Sequence, residues 1–288
     1  MKWVVLTVSL SGLLLFNASC SIKAAAVNAL VPSMYDMIET SYQGKDSATV
    51  GEALPTFIVL MEGMVGMSPK NQELLALAGQ LNAFYAMGFM EQQDPKRAIR
   101  LYERGVELGM EALKRNKKFR NSLARGDKFR EATPYLKKDD LLPAFWTLMA
   151  WALLLQLKLD DPKALFDLPK VTALLNRVME LDDTYFFGAP HLLQGALYTI
   201  LPAMAGGGPD KAQAEFGKLF AISGDRFMLG HVYYAQNYAT LIKDKALFES
   251  ELQLVLDTPS EVLTEMPIAN EMAKDLARKL LAKKDELF

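Results

Sequence analysis

The stretch AFWTLMAWALLLQLKL, residues 144–159, is apolar from Ala144 to Leu155 except at Thr147. It contains no Val or Ile and is rich in Leu, Ala and Met, a composition that favours helix over strand. A helix that is apolar all round lies in a core or in a membrane. A span needs about 20 such residues. Gln156 and Lys158 interrupt this one sooner, so a buried helix is expected, and no later segment is expected to cross a bilayer.

The rest of the chain carries the same signature. Hydrophobic residues make up 51% of the 288, and strand-forming runs of Val, Ile and Thr are scarce, so the fold is expected to be all-α with a large core. Turn chemistry divides it into ten or more helices. Asp94–Pro95 and Ser68–Pro69 each read as an N-cap followed by proline in the first turn. Gly44 stops an early helix, and Gly206 to Gly208 followed by Pro209–Asp210 reads as one helix ending and the next beginning.

Those helices pair. Trp146, Met149, Ala150 and Leu153 follow the W-x2-L-[GA]-x2-Y spacing of the first helix in a tetratricopeptide (TPR) hairpin, with Leu for Tyr, and residues 173–185 resemble its second helix. Leu229, Gly230 and Tyr233 repeat the L-G-x2-Y element ahead of residues 246–256. Residues 74–89 with 95–108, and 191–202 with 209–222, give two further pairs. The expectation is TPR-like helical hairpins with irregular spacing, stacked into an array with a central cavity or concave groove.

The N-terminus is of another kind. Lys2 precedes an apolar run over residues 3–16, a length that suits the core of an export signal. Asn17, Ala18 and Ser19 are small or polar, and Cys20, the one cysteine of the chain, follows them. The arrangement resembles a bacterial lipobox, although Asn17 stands where that pattern has Leu. With no second cysteine, Cys20 has no intramolecular disulfide to form. Residues 1–19 are therefore expected to be a lipoprotein signal peptide. Residues 20–288 are then a single helical domain, exported and held at an envelope membrane by an acyl group on Cys20.

A formal charge of −2 argues against nucleic-acid binding, which needs a basic face. Ten Lys and Arg in residues 114–138 against Asp127 and Glu131 form a basic stretch, read as a solvated face or a contact for anionic lipid or an acidic partner. Enzymatic motifs are missing. His191 and His231 are the only histidines, and no H-E-x-x-H, C-x-x-C, G-x-S-x-G or G-x4-G-K-[ST] occurs. A non-enzymatic protein without metal or other cofactor is expected.

Gly195, Tyr198 and Pro202 in GALYTILP, then Gly206 and Gly207, residues 212–216 and YYAQNYA at 233–239 carry a family resemblance. Together with residues 52–89 they make the chain similar to the TPR-containing T component of TRAP (tripartite ATP-independent periplasmic) transporters. The resemblance implies a periplasmic lipoprotein that assembles as a homotrimer, partners a TRAP substrate-binding protein and handles a hydrophobic small molecule. A TPR-like envelope scaffold that binds proteins and no small ligand is the alternative. Methionines and aromatics at Met61, Met64, Met67, Tyr85, Met87, Phe89 and Met90 fit a core or a cavity lining.

Behind Pro190, His191, Gln194, Tyr198 and Pro202 recur at threes and fours on one helical face. His191, Gln194 and Tyr198 are expected to border the ligand cavity or pore. Gly195 would allow close approach, Pro202 would bend the helix, and Leu192, Leu193, Ala196 and Ile200 would be core. For the anchor, Cys20→Ala is expected to abolish palmitate incorporation and release the mature chain from the membrane fraction; undiminished labelling would exclude acylation at Cys20.

Overall fold

Side-chain oxygens and prolines set most of the helix starts. The computed structural model describes the backbone of residues 2–44 and 46–288, and side chains from residue 22 onward except that of residue 45. The side chain of Cys20 and those of the expected signal segment 1–19 lie outside the described residues. No strand occurs among the described residues.

Helix α1 (Lys2–Tyr42) ends just before Gly44. Asp46 accepts from the Ala48 and Thr49 amides to open α2 (Ser47–Met67). Helix α3 (Gln72–Tyr85) is capped by Asn71, which accepts from the Leu74 amide, rather than by Ser68. Ser68 is engaged elsewhere: its hydroxyl bonds Asn28 of α1 at 2.7 Å, and its amide closes α2 on Met64. A π-helical turn, Ala86–Met90, extends α3. Asp94 then caps α4 (Pro95–Leu113), with Pro95 in the first turn as expected. Two short helices, α5 (Lys117–Ala124) and α6 (Phe129–Ala132), carry the basic stretch. Next come α7 (Leu141–Leu157), α8 (Leu168–Leu181), α9 (Tyr185–Ile200) and α10 (Pro209–Ser223). The last group is α11 (Met228–Tyr233) with its π extension Tyr234–Ala239, α12 (Lys245–Asp257), α13 (Pro267–Ala282) and α14 (Lys284–Leu287).

Consecutive helices pack as hairpins: α3 on α4, α7 on α8, α9 on α10, and α11 with its π extension on α12. Neighbouring hairpins join through α3 and α4 on α7, α8 on α9, and α10 on the π extension of α11. Helix α13 covers α11 and α12 and reaches α1 and α2, where Gln43 donates to the Glu265 carbonyl and Ser47 to Asp275.

By length and composition two stretches among the described residues could cross a bilayer, Ser47–Met67 and Lys138–Leu157. The second is interior, as expected, with 72% of its apolar window buried. The first was not expected. It packs one face on α3, ties Glu62 to Arg104 of α4 at 3.1 Å, and leaves Phe57, Val59, Leu60 and Met67 exposed.

The approach to α9 is strained. Phe186, Phe187 and Gly188 all have left-handed backbones (φ 48°, 61° and 81°), so the right-handed helix begins only beyond them. Bulky residues avoid this region. Here ring packing compensates, with Phe186 centred 5.3 Å from both Phe145 and Trp146 and Phe187 5.4 Å from Phe227. Pro202 does not bend α9. The helix stops at Ile200, and Pro202 lies in the turn beyond.

Helices α3, α4 and α7 meet through small residues. A Cβ on Gly79 would sit 3.2 Å from the Gly105 carbonyl, and one on Gly109 would sit 1.9 Å from Thr147 Oγ1. Thr147 is fully buried and its hydroxyl donates to the Pro143 carbonyl at 2.6 Å, so turning it aside would leave a buried hydroxyl without that partner. Gly109→Ala is expected to lower the unfolding free energy by about 1–3 kcal/mol from overpacking, despite the ~1 kcal/mol advantage of Ala in a helix. Denaturant titration of a double-mutant cycle with Thr147→Ala should give a large coupling that restores stability. Simple additivity would mean the two residues do not clash.

Candidate functional site

Helix α9 divides its residues between two neighbours. His191, Gly195 and Tyr198 face α10 in antiparallel register. His191 Nδ1 lies 2.6 Å from Glu215 Oε2, the Phe216 ring would be 2.9 Å from a Cβ on Gly195, and Lys211 stands 5.7 Å over the Tyr198 ring. His191 and Gln194 are buried, and Tyr198 is half-buried. His191 also has Asp183 at 3.6 Å from its Nε2. Of the three expected site residues, His191 and Tyr198 thus meet the next helix, and Gln194 is buried one turn from His191 on the same helix.

The opposite face of α9 borders an apolar cavity of about 70 Å³. Leu192, Leu193, Ala196, Leu197 and Ile200 form one wall. Leu148 and Leu153 of α7, Val171 and Leu175 of α8 and Tyr233 of α11 complete the lining. Exposure rises toward the mouth, where Leu159, Leu165 and Ile200 are 39%, 43% and 41% accessible. Two still more exposed apolar side chains flank it in sequence, Phe166 at 79% and Met204 at 95%. Among the described residues no Asp, Glu, Lys, Arg or His lines the cavity; its polar members are Gln156 and Tyr233.

Behind Tyr233 sits a carboxylate that sequence reading missed. Glu91 directly follows the π turn of α3 and accepts from the fully buried Tyr102 of α4 at 2.9 Å. Burial pushes its carboxyl up to about 7, which the Tyr102 hydrogen bond only partly offsets. Burial, with the Glu91 charge as a lesser cause, pushes Tyr233 far above the usual phenol range, so it stays protonated at any working pH. In the sequence, Glu91 is one acid in the run EQQDP, with nothing to set it apart.

His231 repeats the arrangement of His191. Its Nδ1 lies 2.7 Å from Glu251 of α12 and its Nε2 3.9 Å from Asp225, with Phe220 stacked at 4.5 Å. Both imidazoles are side-chain locks between helices. No group of three His, Cys, Asp or Glu side chains able to hold a metal occurs among the described residues.

The family model described as TRAP transporter T-component matches residues 43–288. Among curated proteins no match is found.

The elevated Glu91 value makes stability depend on pH in a defined direction. Between about 4.5 and 7 the folded protein holds a proton that the unfolded chain releases, so stability should fall as pH rises through that window, by roughly 3 kcal/mol in all. Glu91→Gln keeps an acceptor for Tyr102 and removes the charge. Urea titrations at pH 5 and pH 8 should find the variant gaining on the wild type at the higher pH. Parallel pH dependences would show that Glu91 is not buried as a charge.

Proposed function

Since the chain belongs to the TRAP transporter T-component family, whose role is accessory to a TRAP transport system, we propose that it is a periplasmic lipoprotein that shelters an apolar small molecule and exchanges it with a TRAP substrate-binding protein. The observation that carries this reading is the apolar cavity between α7, α8 and α9 with its exposed apolar mouth. Sites for apolar ligands are concave, lined by aliphatic and aromatic side chains, and have few polar groups. Leucine-lined space of this kind gains nothing from water and is stabilised by any apolar chain that fills it.

In this reading the rim formed by Leu159, Leu165, Ile200, Phe166 and Met204 is where the binding protein docks, because an exposed apolar patch is stabilised by being covered. The successive hairpins form the TPR-like scaffold that holds the rim. The exposed apolar patch of α2 at Phe57, Val59, Leu60 and Met67 is assigned to contacts between copies in a homotrimer, and Cys20 to the acyl anchor. His191, Gln194 and Tyr198 border this site at one remove. By clamping α9 to α10, His191 and Tyr198 hold its other face open.

Ala196→Trp is expected to fill the cavity from α9 while keeping the helical circular dichroism spectrum. Mass spectrometry of organic extracts should find apolar molecules carried by the purified wild type and absent from the variant. Identical extracts from the two proteins would remove the cavity from the reading and leave the scaffold role.

A further inference from the structure

The basic stretch has a place in the fold that its sequence does not show. Lys117, Lys118, Lys128, Arg130, Lys137 and Lys138 are exposed on α5, α6 and the turns that follow, and make no ion pair among the described residues. Two of the four acids among them are engaged. Asp127 is held by Arg125 at 2.8 Å, and Asp140 is buried against Gln72 and Asn116. Glu131 and Asp139 are the exposed acids that face six unpaired cations, so a concentrated positive patch remains.

Hydrogen bonds tie this patch to the part of α1 that leads to Cys20. Asn28 of α1 accepts from Ser68 at 2.7 Å and from Asn71 at 2.8 Å. Beside Asn71, Gln72 donates to Asp140 at 2.8 Å, and Asn116 at the head of α5 donates to the other Asp140 oxygen, also at 2.8 Å. Tyr42, at the far end of α1, meets Gln80 and Phe84 near the end of α3. Helix α1 therefore runs alongside α3 and continues past its start. From Asn28 back to Cys20 is eight residues, about 12 Å of helix, and Lys23 is exposed on the way.

The cavity mouth lies at the opposite end of the array. Helix α7 starts at Leu141, beside the patch, and runs 17 residues, about 25 Å, to Leu157. Helix α8 returns, and Arg177 in its second half donates to the Leu136 carbonyl at 2.6 and 3.1 Å. Helix α9 then runs outward again. Leu159, Leu165 and Ile200 are thereby gathered at the end away from Lys137 and Lys138.

Resting on the reading that Cys20 carries the acyl anchor, we propose that the basic patch of residues 117–138 lies on anionic lipid headgroups and stands the hairpin array on the membrane with the cavity mouth pointing away from it. An anchor next to the patch holds headgroups at high effective concentration, whereas an acidic protein would first have to be recruited. Mobile lysines also suit a diffuse charged surface better than a bidentate partner. A single acyl chain binds membranes only marginally, so a second, electrostatic signal matters, each cation adding about fivefold to partition. Held this way, the apolar rim at Leu159, Leu165 and Ile200 is kept out of the bilayer and open to a soluble partner.

The test reconstitutes the full mature chain, purified from cell envelopes, into phosphatidylcholine vesicles with and without phosphatidylglycerol. Mass spectrometry then maps which lysines react with acetic anhydride. Lys117, Lys118, Lys128, Lys137 and Lys138 should lose most of their reactivity in the phosphatidylglycerol vesicles alone and regain it in high salt. Lys163 and Lys211, exposed at the mouth end, should react equally in both. Lys117→Glu with Lys118→Glu should return Lys137 and Lys138 to full reactivity. Equal reactivity of the patch in the two vesicles, protection at Lys163 and Lys211 instead, or protection that needs added substrate-binding protein each overturns the proposal and leaves the anchor reading standing. An intact mass without an acyl group ends the anchor reading alone. The unacylated chain then supports the patch by floating with phosphatidylglycerol vesicles at low salt, and overturns it by failing to float.

Discussion

The contact between α9 and α10 is the constraint from which the cavity follows. His191 to Glu215, Gly195 against Phe216 and Lys211 over Tyr198 fix one face of α9 in a single register. The strained left-handed turn at Phe186 to Gly188 fixes where the helix begins. With both its start and its rotation set, α9 cannot roll or slide to fill the space on its other side. Leu192, Leu193, Ala196 and Ile200 then face α7 and α8 across a gap instead of packing into them. A cavity persists in a close-packed protein only where the surrounding backbone is held from collapsing.

Much of the architecture could be read from the sequence. Asp94 with Pro95 announced α4, Pro209 announced α10, and the run around Trp146 was a buried helix. Cap residues act locally, so their signal survives in any tertiary context. The start of α3 was misread because Ser68 is claimed by Asn28, 40 residues away. The left-handed turn before α9 had no signal, because no local preference of Phe points to it. It exists through ring contacts with Phe145, Trp146 and Phe227, which lie far off in the chain.

The site was half legible for a related reason. Periodicity sets His191, Gln194 and Tyr198 on one face of α9 and Leu192, Leu193, Ala196 and Ile200 on another. It could not tell which face meets a neighbour that fits. Polar tips beside an aromatic surface look like a ligand site, yet in this chain they meet Glu215 and Lys211 of the next helix. A cavity is an absence of side chains contributed by several helices, and no single helix encodes an absence. Glu91 was hidden for the same cause, since its burial is made by Tyr102 and the helices above it.

The two histidine locks bear on how the array was built. In one hairpin His191 of the first helix bonds Glu215 of the second, with Asp183 on the far nitrogen; in the next, His231, Glu251 and Asp225 take the same three places. The earlier hairpin of α3 and α4 has no such lock and relies on the close approach of Gly79, Gly105 and Gly109. A polar lock holds two helices at a distance set by side-chain length, whereas a glycine crossing brings backbones together. Each device fixes a helix pair in register, and the cavity lies between α9, pinned by its lock, and α7, which crosses α4 where Gly109 meets Thr147. Tyr233, on the helix of the second lock, lies near enough to Glu91, at the end of the glycine-crossed α3, to feel its charge.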